Sequence, residues 1–356
     1  MRAFGFLSFG HYGGGPASGG LTARQMLHDA IDISVGADEL GVNGAYFRVH
    51  HFAPQSASPM PLLSAVAART ERIEVGTGVI DMRYENPLYL AEEAAALDLI
   101  ADGRVALGIS RGSPEPADRG WEAFGYTGST DPRGADIARE KFDLFLEAIR
   151  GEPVARAAQQ PYGAPDAPGA DLRIEPHSPD LVERIWWGAG SRESAENVGR
   201  QGLNLMSSTL LTEATGAGFS ELQAEQIERF RSAYREAGHT RPPRVSISRS
   251  VFPVLDERDA LMFGLREGGG ADQIGIIDGH RSTFGRTFVG EPDQLIEEPT
   301  ADAAVMSADT LMLTVPSQLG VELNLHILEN FATHVAPALG WKPNTEGPVV
   351  GDDLVA

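Results

Sequence analysis

Short apolar runs alternate with longer amphipathic stretches almost from end to end of the chain. Eight of the runs read as strands: Ala3–Ser8, Gly44–Arg48, Ile73–Gly78, Val105–Ile109, Arg184–Gly188, Leu203–Ser207, Val245–Ser250 and Thr310–Thr314. Most are apolar on both faces, the pattern of parallel strands covered by helices. Helical periodicity fills the intervals at Thr22–Leu40, Pro61–Arg69, Pro87–Ala101, Pro132–Arg150, Ser191–Arg200, Ser220–Ala237, Pro292–Glu298 and Gln318–Phe331. In the third of these, Pro87 suits a first helical turn, and Glu92 and Glu93 lie near its positive end. Leu90, Ala94, Leu97 and Ile100 mark one apolar face, and Asp102-Gly103 ends the helix. Eight strands alternating with eight helices predict an α/β fold of the (β/α)8 TIM-barrel type in a single domain over residues 1–356. A doubly wound sheet with a second domain is the alternative.

Two stretches break the alternation. Glu152–Asp180 is proline-rich and reads as a surface excursion. Met262–Gly285 carries Gly268-Gly269-Gly270 among polar residues and reads as a mobile lid on the ligand face, or as a loop with no function.

Composition narrows the classes. The net charge of -21 over 356 residues argues against nucleic acid and anionic membrane surfaces as partners. With no cysteine there are no disulfides, thiolate metal sites or cysteine nucleophiles, which fits a cytoplasmic protein. No apolar stretch is long enough to span a membrane, and the first residues do not form a signal-type run.

Three segments could carry chemistry. Val105–Ile109 leads into Ser110-Arg111-Gly112-Ser113, so Arg111 emerges at the carboxyl end of a strand, the edge where such folds keep ligands. Gly112 permits close backbone approach, and Ser113 adds an N–H and a hydroxyl. A guanidinium there suits a phosphate, or a structural ion pair. In Gly188-Ala189-Gly190-Ser191-Arg192-Glu193-Ser194 a strand gives way to a helix whose first turn carries Ser191 and Ser194. That segment is an anion site or an ordinary helix cap. Neighbouring strands would bring it close to Arg111, and one phosphate shared between them is the economical reading. The third segment, Tyr46-Phe47-Arg48-Val49-His50-His51-Phe52, ends a strand with two histidines facing opposite ways. One of them could handle a proton at the pocket mouth, or both could be structural. No metal-ligand spacing is present, and Trp186 and Trp187 read as packing residues.

These residues resemble the bacterial-luciferase-like flavin monooxygenases over nearly the whole chain. The resemblance runs through His50-His51-Phe52, Glu74-Val75-Gly76-Thr77-Gly78, Asn86-Pro87 with Ala91-Glu92-Glu93, and Leu97-Asp98. It continues through Gly103-Arg104, Ser110-Arg111-Gly112, Gly188-Ala189-Gly190-Ser191 with Ser194, Leu311 to Gly320, and Pro337-Ala338-Leu339-Gly340-Trp341. It implies a barrel that binds reduced FMN, with the phosphate at Arg111, the backbone near Ser113, Ser191 and Ser194, and with Gly112 and Gly190 also among the cofactor-binding residues. It also implies a non-prolyl cis peptide under the flavin at Gly78–Val79, His50 as the catalytic residue, and a lid at Met262–Gly285. A separate flavin reductase would supply the reduced FMN, and O2 would oxygenate an aldehyde, ketone or similar small organic substrate. A homodimer is the implied assembly. The resemblance departs at Val49, where the family often has an acidic residue. Alternatives are a relative using F420 for hydride transfer, a non-catalytic flavin-binding protein, and an unrelated phosphosubstrate lyase or isomerase barrel.

Overall fold

The computed structural model describes residues 1–14, 20–159, 167–213, 215–264, 272–277 and 280–349. Each of the eight apolar runs forms a strand: β1 (Ala3–Ser8), β2 (Gly44–Phe47), β3 (Glu74–Thr77), β4 (Val105–Ser110), β5 (Ile185–Ala189), β6 (Asn204–Ser207), β7 (Val245–Pro253) and β8 (Thr310–Val315). Every neighbour in this order pairs in parallel, and β8 returns to β1, which closes the barrel. The eight major helices are α1 (Ala23–Glu39), α2 (Pro59–Ala67), α3 (Pro87–Ile100), α4 (Ala135–Ile149), α5 (Arg192–Gln201), α6 (Phe219–Glu236), α7 (Pro292–Ala301) and α8 (Gly320–His334). The doubly wound alternative is thereby set aside.

Helix α3 begins as the sequence predicts, with Pro87 in its first turn and the Asn86 side chain accepting from the Leu88 and Tyr89 N–H groups. Its buried face differs by one position at the end. Leu90, Ala94 and Leu97 are buried, but Ile100 is 52% exposed. Ala101, four residues after Leu97, continues the buried stripe instead, as 3.6 residues per turn allows.

Two cores follow from the strand alternation. The larger lies between strands and helices. The smaller fills the barrel with Leu7, Tyr46, Ala106, Trp186, Met206 and Met312. Near the bottom of the barrel the Tyr46 hydroxyl donates to Glu74 at 2.7 Å, and Arg244 pairs with the same carboxylate at 2.6 Å. The Tyr46 ring fits because positions 5 and 44 carry no side chain; a Cβ on Gly5 would lie 2.7 Å from the ring. Trp186 belongs to this interior core, and Trp187 packs on Phe142 of α4 at 4.5 Å between ring centroids.

Both interruptions gain partial structure. Within 152–180, Ala155–Arg156 pairs antiparallel with Asp171–Leu172. Within 262–285, Gln273–Ile277 and His280–Phe284 form an antiparallel pair, the second strand of which docks on Leu210–Leu211. Gly268-Gly269-Gly270 lies outside the described residues. No described helix is long and apolar enough to cross a membrane.

Candidate active site

A cavity of about 860 Å³ opens at the carboxyl ends of the strands, between the turns after β4 and β5. That volume lies in the range of pockets that enclose a cofactor-sized ligand, roughly 300–1,000 Å³. Gly78, Val79, Arg111, Gly112, Ser113, Gly190, Ser191 and Ser194 all line it. Two turns far apart in sequence thus form one pocket because β4 and β5 are neighbours in the barrel.

The turn after β4 is held from below. The Ser110 hydroxyl accepts from the Gly112 N–H at 2.8 Å. Arg83 donates to the Ser113 carbonyl at 2.7 Å while its guanidinium grips Asp81. Asp81 packs so tightly under Gly112 that a Cβ there would collide with its carboxylate, and Gly112 has φ of +90°. Burial raises the Asp81 pKa from its ordinary value, and the hydrogen bonds and charge of Arg83 oppose that rise.

The turn after β5 is a helix start. Ser191 caps α5, its hydroxyl accepting from the Ser194 N–H at 3.2 Å. Gln226 of α6 donates to the carbonyls of Ser191 at 3.0 Å and Ala189 at 3.2 Å, and Thr212 donates through its N–H to the Gly190 carbonyl at 2.8 Å. The Arg192 N–H donates to the Glu213 carboxylate at 3.2 Å, so what this turn brings to the cavity is chiefly the Ser191 and Ser194 side chains. Such a helix start beside a guanidinium is suited to an anion.

The inner wall is different in character. The Gly78–Val79 peptide bond is cis, at the place where the resemblance puts one. Leu7, Val79, Met206 and Met312 contribute apolar surface there, and Arg48 is the cation among them. Strand β2 ends at Phe47, so the two histidines lie just beyond it. His51 is buried and stacks on Tyr84, with ring centroids 4.0 Å apart. Burial pushes its pKa down. His50 does not line the cavity. Its Nε2 accepts from Arg48 Nε at 2.7 Å, and its Nδ1 meets Glu115 Oε1 at 2.9 Å. His50 therefore reaches the pocket through Arg48. Among the described residues no group of histidines and carboxylates is arranged to hold a metal.

Sequence reasoning missed Arg48, Asp81, Glu115 and Gln226. Parity along β2 pointed to Arg48, which lies two residues after inward-facing Tyr46. Glu115 follows Pro114 in an irregular loop, where periodicity gives no signal.

Comparison with known proteins decides the family. The luciferase-like monooxygenase profile matches residues 1–262, nearly three-quarters of the chain. This chain belongs to the luciferase-like monooxygenase family. It is 34% identical over 147 residues to the uncharacterized protein y4wF of Sinorhizobium fredii, a match covering 41% of each chain. It is 24% identical over 259 residues to the oxygenase component of the flavin-dependent trigonelline monooxygenase of Acinetobacter baylyi, covering 67% of this chain and 62% of that one. The match thus spans less than two-thirds of the length of either curated relative. Among solved structures, it resembles the oxygenating constituent of 3,6-diketocamphane monooxygenase from Pseudomonas putida in complex with FMN. The TM-score is 0.70 at 21% identity, over 97% of this chain and 100% of the other. That likeness extends the shared barrel beyond residue 262 to the last strand and helix.

Proposed function

We propose that this protein is the oxygenase of a two-component flavin-dependent monooxygenase in the cytoplasm. It would receive reduced FMN from a separate flavin reductase and use it with O2 to oxygenate a small organic substrate such as an aldehyde or ketone. The observation that carries the reading is one cavity with two unlike ends. An anion pocket of Arg111, Ser113 and the start of α5 runs into an apolar wall beside the Gly78–Val79 peptide.

The residues present fit FMN. Arg111 supplies a fixed charge for the phosphate, and Ser191 and Ser194 supply hydroxyls at a helix start. Gly188 leaves room against the wall, since a Cβ there would lie 3.1 Å from the Val79 side chain. When bound, reduced FMN supplies the redox chemistry that activates oxygen. The chain's own residues would bind it, and Leu7, Val79, Met206 and Met312 would form the apolar wall that excludes water. His50 and Glu115 hold Arg48 at the reacting end, so His50 contributes by positioning rather than by direct contact. The described part of 262–285, the pair Gln273–Ile277 and His280–Phe284 docked on Leu210–Leu211, would serve as the lid, and the protein would work as a homodimer.

Anaerobic titration with reduced FMN and with reduced F420, followed by admission of O2, tests the reading. The expected result is saturable binding of reduced FMN and oxygen uptake by the bound form. Binding of F420 alone would move the protein to hydride transfer, and binding of neither would end the flavin assignment.

A further inference from the structure

We propose that Arg48 is the substrate-recognition residue of this cavity and that it selects an organic carboxylate with an apolar body. The inference deepens the monooxygenase reading by naming its substrate class.

Arg48 continues the inward side of β2, its N–H donating to the Ser8 carbonyl at 2.9 Å. Its guanidinium packs on the Phe9 ring, 4.9 Å from the centroid. Nε donates to His50 at 2.7 Å, and Nη2 donates to the Ser113 hydroxyl at 3.3 Å. A guanidinium has five N–H donors. Among the described residues the Arg48 guanidinium makes no other side-chain hydrogen bond, and no described carboxylate lies within ion-pair distance of it. Glu115 reaches Arg48 only through the His50 ring. Burial removes part of the hydration of this cation without supplying a direct counter-ion. A ligand carboxylate would restore both the hydrogen bonds and the charge balance, in the paired geometry that arginine favours. Around it, Leu7, Val79, Met206 and Met312 offer only apolar contact, which is the complement of the rest of such a substrate.

The hydrogen bonds also fix the direction of the supporting chain. An arginine Nε–H can only donate, so His50 Nε2 accepts and the ring carries its proton on Nδ1, towards Glu115. His50 and Glu115 are positioning residues for the guanidinium. Val49 is buried, and a carboxylate in its place would add negative charge beside the site.

Isothermal titration tests this with acetate, benzoate, nicotinate and octanoate, each against its own primary amide. The titrations are run on the full chain with and without saturating reduced FMN under anaerobic conditions. At least one acid should bind tenfold or more tightly than its amide, and Arg48→Met should abolish that ratio while changing the affinity for reduced FMN less than threefold. Equal binding of every acid and amide pair by the wild-type chain would overturn the proposal. So would an Arg48→Met variant that keeps the ratio but loses FMN tenfold, which would assign Arg48 to the cofactor. If Arg48→Met does not fold, Arg48→Lys replaces it; an ammonium lacks the fork, so the acid-to-amide ratio should fall at least threefold at unchanged melting temperature, and an unchanged ratio would overturn the proposal. Failure of the flavin reading is separately visible as absence of reduced-FMN binding in the wild-type chain, whatever the carboxylate titrations show.

Discussion

At Gly112 the backbone turns with φ of +90° directly above the buried Asp81–Arg83 pair. A side chain there meets both an unfavourable backbone region and the Asp81 carboxylate. Gly112→Ala should therefore destabilise the fold by about 1–3 kcal/mol, read as a lower denaturation midpoint, and should weaken FMN binding because the Arg111 turn shifts. Arg111→Ala removes the charge that this turn carries into the cavity. A charge-assisted hydrogen bond contributes roughly 1.5–3 kcal/mol, so FMN affinity should drop about ten- to a hundredfold in an anaerobic titration. Unchanged affinity would take the phosphate away from Arg111. These two residues were legible because a strand, a cation and a glycine adjoin in sequence. Arg48 and Glu115 were not, since the relation between them is made by a loop 65 residues further on, through His50.

The elements were the most readable level. All eight strands lie where apolar runs place them, with ends displaced by a residue or a few, because a strand buried on both faces leaves little room for polar residues. The short strand Ile80–Asp81 and the Gln273–Ile277 and His280–Phe284 pair lacked that signal, being brief or polar. Between elements, burial of charge left no trace in the sequence. Glu85, just before α3, has its pKa raised to about 7, first by burial and then by Glu93 and Asp81, with Lys141 opposing. Lys141 on α4 is lowered to about 8, mainly by burial, and donates to the Arg83 carbonyl at 2.6 Å. Below the ordinary carboxylate pKa, Glu85 is protonated folded or unfolded. As pH rises towards 7 the unfolded chain gives up this proton first, so folding loses free energy. The loss is complete above the folded pKa and amounts to at most about 3 kcal/mol. Glu85→Gln removes it. Relative to wild type, the variant should gain stability between about pH 4.5 and 7 and hold that gain at pH 8. A constant difference across this range, measured by urea unfolding, would show that Glu85 ionises freely in the folded chain.

At the scale of the whole molecule, barrel closure is what makes the site. Arg111 and Ser191 are separated by nearly the entire β4–α4–β5 unit and the proline-rich excursion, yet share a cavity because β4 pairs with β5. This juxtaposition was legible once eight strands were counted, whereas the inner wall depends on which side chains the barrel turns inward. A ligand that bridges the two ends should stabilise the native state as a unit, by about 2.7 kcal/mol at a hundred times its dissociation constant. FMN and riboflavin separate the contributions, since they differ only in the phosphate. FMN should raise the melting temperature by a few degrees at concentrations where riboflavin has a smaller effect. In Arg111→Ala the two should become nearly equal, because the residue that distinguishes them is gone. In Arg48→Met the difference between them should persist, since Arg48 meets the phosphate pocket only through the Ser113 hydroxyl while Arg111 supplies its charge. If instead riboflavin protected the wild-type chain as well as FMN, the pocket beside α5 would contribute nothing to flavin binding, and the anion it suits would belong to another ligand.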